Sequence, residues 1–176
     1  NVASIHIVAV ENEVKELLWE IKKSFNDSPK IIAVNLEKQQ IVSTSIELSK
    51  NYQATYSLPK KYLYEPNASL LKSGGFEAVS ELFALDKLHQ HSHLYTADEI
   101  KDFQGRRFEI TQEIPFQKND LKKYIQNQKM NVTTRNFPLK VEDIKKKYKI
   151  SDGGTLFAFF TTNLKNEKIV LLCTKI

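Results

Sequence analysis

The chain has 176 residues, of which 41% are hydrophobic, 10% aromatic and 27% charged, with a formal net charge of +5. This length and apolar content suffice for one domain or two small ones with a real core, and they exclude a disordered chain. A single cysteine, Cys173, excludes an internal disulfide framework and a Cys-rich zinc module, and no apolar run approaches the ~20 residues that cross a bilayer as a helix.

Ser4 to Val10 is β-branched and uninterrupted, as a buried strand is. From Glu11 to Phe25, the residues Val14, Leu17, Leu18, Ile21 and Phe25 recur at helical spacing behind a first turn rich in acids. That spacing predicts an amphipathic helix, stopped by Asn26-Asp27-Ser28-Pro29. Ile31 to Leu36 and Gln40 to Leu48 read as strands joined at Glu37-Lys38-Gln39, so residues 1–48 form about half of a split βαβ unit. Leu58-Pro59 and Glu65-Pro66 punctuate a Tyr-rich stretch. Pro66 suits the first position of a helix carrying Ala68, Leu70 and Leu71 up to Gly74-Gly75, a helix stop. A second helix carries Phe76, Val79, Leu82 and Phe83 and ends near Lys87. His89 to Phe103 reads as a polar connector with a helical turn at Thr96-Ala97-Asp98-Glu99.

From Gly105 the pattern is regular. Arg107 to Ile114 alternates as a strand and Pro115 closes it; Asn119 to Gln126 is a short helix. Lys129 to Arg135 is a strand, Leu139 to Tyr148 a helix, and Ser151-Asp152-Gly153-Gly154 a turn. Thr155 to Thr162 and Lys168 to Thr174 are apolar strands joined by a hairpin at Asn163 to Asn166. The order β-α-β-α-β-β predicts parallel pairing with crossover helices, finished by an antiparallel hairpin. The expected fold class is α+β in three segments: an α+β unit over 1–58, a helical connector over 59–104 and the β-α-β-α-β-β unit over 105–176.

Charge divides along the chain. Residues 1–88 carry 10 lysines and 11 acids, whereas residues from Arg106 onward carry 15 basic and 7 acidic groups, including all three arginines. Such a one-ended excess is either the footprint of a phosphate-binding surface or a solvated lysine-rich face. The candidate phosphate contacts of a nucleic acid are Lys122, Lys123, Arg135, Lys140, Lys145 and Lys146, on outward helix faces or strand ends, with Asn136 able to reach a sugar or base. Phe137 is a stacking aromatic or a core anchor beside Pro138. Trp19 lies off the apolar stripe of its expected helix and either packs within the chain or docks a further domain.

Other chemistry finds less support. His89, His91 and His93 alternate, which on an extended segment aligns them in a row rather than around a metal ion. His6, between Ile5 and Ile7, reads as a satisfied core histidine, and Cys173 as a small core residue. No Ser or Cys has the glycines of a nucleophile elbow, and no strand-to-helix turn has those of a cofactor loop. The chain alone is therefore expected to bind no SAM, NAD or ATP and no metal, and to have no catalytic residue. It starts at Asn1 without a leader pattern, which reads as a fragment of a longer soluble cytoplasmic protein with no membrane contact.

Several words of the sequence resemble one family. Ile5 to Glu13 with Lys15-Glu16-Leu17-Leu18, Tyr62 to Lys72, His93-Leu94-Tyr95-Thr96, Thr134 to Leu139 and Asp152-Gly153-Gly154 are similar to the C-terminal region of class I SAM-dependent methyltransferase-like proteins typical of Bacteroidetes. The resemblance implies a catalytic Rossmann-like methyltransferase domain before Asn1 that uses SAM, then a ferredoxin-like domain (1–58), the helical connector and a THUMP-like domain (105–176). It further implies a tRNA or rRNA partner, held here while the N-terminal domain modifies a base. Val14 stands where relatives are expected to carry cysteine, so no thiol role transfers there. The alternative reading is a scaffold module that packs on the methyltransferase domain or a partner protein.

Overall fold

The computed structural model describes residues 1–38 and 40–176; Gln39, the last residue of the expected turn at 37–39, lies outside the described residues. The chain divides into two compact units, the first formed by Asn1–Ala54, Pro66–Ala84 and Asp102–Gly105, the second by Thr55–Glu65, Leu85–Lys101 and Arg106–Ile176.

The first unit holds a four-stranded sheet in the order β2-β1-β3-β4, made of β1 (Val2–Val10), β2 (Glu13–Ile21), β3 (Lys30–Glu37) and β4 (Gln40–Glu47). The helix expected over Glu11 to Phe25 is therefore a strand. Its Leu-Leu-Trp-Glu-Ile run satisfies both a helical and an alternating period, and the turn before it decides between them. Glu11 (φ 49°) and Asn12 (φ 65°) form a two-residue turn with both central residues left-handed, the geometry that sends a strand back antiparallel. Asn12 tolerates this backbone, and its N–H donates to Asn35 Oδ1 at 3.1 Å while Glu11 N–H donates to Leu36 O at 2.9 Å. After β2 the chain crosses to pair β3 parallel with β1, and β4 returns antiparallel on β3.

The helices of this unit come from later in the chain. α1 (Ala68–Ser73) lies on β1, β2 and β3, and α2 (Phe76–Phe83) follows it. Asn67, not Pro66, starts α1, because its side chain accepts from Leu70 N at 3.0 Å; Gly74 at φ 72° ends it. Under the helices Ile7, Ala9, Ala33, Ile46, Leu70 and Val79 are buried. Gln104 ties its segment to β4, accepting from Thr44 Oγ1 at 2.6 Å and donating to Ser43 O at 2.7 Å. Edge strand β2 is covered only in part: Leu17, Leu18, Trp19 and Ile21 are each at least half exposed. Trp19 thus does not pack within the unit.

The second unit is an eight-stranded sheet in the order β10-β11-β12-β9-β6-β8-β7-β5. Its strands are β5 (Thr55–Tyr56), β6 (Tyr62–Pro66), β7 (Asp86–Lys87), β8 (Tyr95–Ala97), β9 (Gly105–Pro115), β10 (Asn131–Arg135), β11 (Leu156–Thr162) and β12 (Lys168–Lys175), with α3 (Lys118–Tyr124) and α4 (Val141–Tyr148) between the later ones. The segment 59–104 is thus not a helical connector throughout. It holds α1 and α2 but also β6, β7 and β8, and of the helical turn expected at 96–99 the first two residues, Thr96 and Ala97, belong to strand β8. The β-α-β-α-β-β order from Gly105 is present, with β10 and β11 parallel across α4 and β11–β12 a hairpin. β9, however, pairs antiparallel with β12 rather than parallel with β10. Both faces of β12 are buried. Val170 and Leu172 join Ile114, Leu121, Ile125, Ile144 and Tyr148 under α3 and α4, whereas Ile169, Leu171 and Cys173 join Leu63, Leu88, Leu94 and Phe108 on the other side. This explains the unbroken Ile-Val-Leu-Leu-Cys run. Among the described residues no helix is long and apolar enough to cross a membrane.

Candidate nucleic-acid interface

α3 and α4 pack on one face of the sheet because Leu121 and Ile125 of one, and Ile144 and Tyr148 of the other, share a single core. Their polar sides then flank a cleft of about 460 Å³. It is lined by Lys118 and Lys122 from α3, Lys147 from α4, and Phe116, Leu121, Gln126 and Tyr148. Three lysines beside the partly exposed Phe116 and the buried Tyr148 give the cleft a cationic lining that suits a phosphate-bearing ligand. Lys147 Nζ lies 5.5 Å from the centre of the Tyr148 ring. The lysines also suit their helices. Lys122 and Lys123 close α3, and Lys145, Lys146 and Lys147 close α4, where cations complement the helix dipole, while Glu142 and Asp143 open α4.

The residues expected from the sequence fall in different places. Lys122 lines the cleft. Lys123 is exposed and sits over the Tyr124 ring at 4.6 Å; a hydrogen bond between the ammonium and the Tyr124 hydroxyl raises the lysine's proton affinity and, with one from Gln112, holds the phenol below its usual range. Lys140 and Lys146 are exposed, and Lys145 pairs with Asp152 at 2.6 Å. Arg135 is turned inward: its Nη2 donates to Glu65 Oε1 at 2.8 Å. Glu65 is buried, and Arg106 Nε donates to its other oxygen at 2.6 Å. This three-membered cluster joins β6, β9 and β10 and engages one end of the Arg135 guanidinium. Asn136 lies at the end of β10 with φ 51°, its Nδ2 3.0 Å from His89 Nδ1. Phe137 is a core anchor, edge-to-face with Phe116 at 4.9 Å and Phe160 at 5.6 Å.

Sequence reasoning missed Lys118, Lys147, Phe116, Gln126 and Tyr148 as cleft residues. The available signal was the pairing of apolar stripes on two helices of one crossover unit, which requires knowing that both cover the same sheet face. Among the described residues no group of three His, Cys, Asp or Glu side chains is placed to hold a metal ion. The His89 ring is engaged instead by Asn136, His91 N and Asn166. His6 is half-buried and bonded to Ser4 Oγ at 2.9 Å. Cys173 is buried, and loss of water pushes its thiol well above the usual range.

Residues 105–175 match the family model of the THUMP domain-like family, and residues 62–103 match that of a ferredoxin-like domain. The second match falls on the stretch read from sequence as a connector, and it contributes α1 and α2 to one unit and β6, β7 and β8 to the other. No curated protein matches the chain. Among solved structures, that of a candidate methyltransferase from Porphyromonas gingivalis W83 is 34% identical, with a TM-score of 0.88. The similarity covers 99% of this chain and 46% of that one, so this chain spans about half the length of that protein. The chain is an α+β protein with a ferredoxin-like domain followed by a THUMP-like domain, built like part of that candidate methyltransferase.

Proposed function

We propose that this chain is the non-catalytic RNA-binding region of a SAM-dependent RNA methyltransferase-like protein, and that it positions tRNA or rRNA in the cytoplasm. The observation that carries this reading is the α3–α4 cleft, where Lys118, Lys122 and Lys147 meet Phe116 and Tyr148. Lysines there hold phosphates, and the partly exposed Phe116 ring gives the ribose an apolar wall. The THUMP-like match supports an RNA ligand, and the likeness to a longer candidate methyltransferase supports a separate catalytic part. SAM belongs to that part. The strand-to-helix links of this chain, at Asn67, at Phe116-Gln117 and at residues 136–140, contain no glycine to let backbone approach a cofactor. Hydrogen exchange with and without tRNA tests the reading. Protection is expected in peptides covering 116–126 and 141–149; protection confined to the four-stranded sheet contradicts it.

One observation favours a second reading, a docking module. Leu17, Leu18, Trp19 and Ile21 leave edge strand β2 with unpaired backbone and exposed apolar side chains. The occupant under this reading is the catalytic part of the same protein, for which the unmatched portion of the P. gingivalis protein leaves room. Tight binding of the separately expressed catalytic part, lost in Trp19→Lys, together with no RNA binding by the present chain, selects it.

A further inference from the structure

A second hollow of the second unit, about 300 Å³, is lined by Tyr56, His89, Gln90, Leu164 and Asn166 and shares no lining residue with the α3–α4 cleft. Its walls carry no lysine, arginine or carboxylate. One side is an exposed tyrosine ring, another the exposed Leu164, and the remainder is imidazole and amide. The buried Lys87 ammonium lies 5.9 Å from the Tyr56 ring centre.

Hydrogen bonds settle what the amides present. His91 N–H lies 3.1 Å from His89 Nδ1 and can only donate, so Nδ1 is an acceptor. The same nitrogen is 3.0 Å from Asn136 Nδ2, a second donor. With Nδ1 accepting, the ring nitrogen that donates is Nε2, and its partner is Asn166 Oδ1 at 3.0 Å. With its oxygen so engaged, Asn166 offers its Nδ2 hydrogens to a ligand. Gln90, exposed beside it, offers either a donor or an acceptor. Asn136 and Asn166 occupy left-handed backbone at φ 51° and 63°, which asparagine tolerates, so the network is built on positions that suit it.

We propose that this hollow binds one unpaired nucleobase, stacked on Tyr56 against Leu164 with its polar edge on Asn166 and Gln90. The lining side chains are neutral, and the Lys87 ammonium behind them is buried and donates to Gln90 O at 3.2 Å, so a neutral planar heterocycle with a hydrogen-bonding edge meets every wall. Asn136 is a positioning residue that acts through His89. The inference rests on the RNA-binding reading and adds a preference for single strands. The cleft reads phosphates, whereas the hollow needs a base free of its partner.

The test uses a labelled 12-nucleotide single-stranded RNA and the same sequence as a blunt duplex, with binding followed by anisotropy at one salt concentration. Tyr56→Leu and Asn166→Gly, the latter retaining the left-handed backbone, are expected to weaken single-strand binding about tenfold, as loss of one stacked base does, and to leave duplex binding within about twofold. Tyr56→Phe keeps the ring and should retain single-strand affinity. Asn136→Gly should show a smaller loss of the same kind. Equal losses on both RNAs, or none on either, overturn the assignment. A titration with cytidine and adenosine, read by NMR at the Tyr56 ring and the Asn166 side-chain NH2, separates the two readings. Shifts there without RNA binding sustain the base site and refute the cleft; RNA binding without those shifts does the reverse.

Discussion

Replacing Glu65 by glutamine tests whether the Arg106–Glu65–Arg135 cluster braces the second unit. The Glu65 side chain is 3% exposed and receives charge-assisted bonds from Arg106 and Arg135, whose side chains are 38% and 36% exposed. Removing one partner of a fully buried ion pair costs about 3–5 kcal/mol. Here both guanidinium groups are more than a third exposed and regain some water, so the expected loss is about 2–3 kcal/mol. For a chain of this size each kcal/mol moves the melting temperature by about 2–4 °C, which puts the shift at about 5–10 °C. Thermal melting by circular dichroism at pH 7, with urea titration as a second measure, reads it directly. Arg135→Met should also lower the melting temperature yet leave the salt dependence of RNA binding unchanged. A Glu65→Gln protein that melts within about 1 °C of wild type refutes the brace.

Two further outcomes follow from titratable groups. Burial pushes the Asp86 carboxyl up, but hydrogen bonds from Lys60 at 2.7 Å, Thr55 and Ser57 outweigh it and hold the group below its ordinary value of 3.8. A depressed carboxylate stabilises the fold above its unfolded value and loses that contribution as pH falls through the folded one. Asp86→Asn should therefore lose about 1–2 kcal/mol in urea unfolding at pH 7, and the gap to wild type should narrow below pH ~4. Cys173, whose thiol is pushed upward by burial alone, should resist thiol reagents at neutral pH in the folded protein and react once urea unfolds it.

The C-terminal pattern was legible because its punctuation is local. Pro115, Gly153-Gly154 and Asn163 to Asn166 separate segments whose apolar period changes at each boundary. The front of the chain was harder. Leu17 to Ile21 fits both periods, and the left-handed pair Glu11-Asn12 that selects a strand includes a glutamate, a residue with no preference for that conformation. The helices that cover β1 and β3 come from residues 68–83, so no local window reveals them. The same limit explains the site. Lys122 could be read as outward from its helix, but Arg135 finds Glu65 seventy residues away, and nothing near either in sequence announces the pair. Asn136, read from sequence as a contact to sugar or base, has His89 as its immediate partner, forty-seven residues away.

The salt dependence of tRNA binding tests the central claim most directly. Each phosphate neutralised contributes about 0.7–0.9 to the slope of log affinity against log salt, so reversing Lys118, Lys122 and Lys147 to glutamate should lower that slope by about 2–3 and weaken binding throughout. Reversing the exposed Lys22, Lys23 and Lys72, equal in charge but placed in the other unit, should change it little. A slope unmoved by the first set, or moved equally by both, contradicts the α3–α4 cleft as the RNA site.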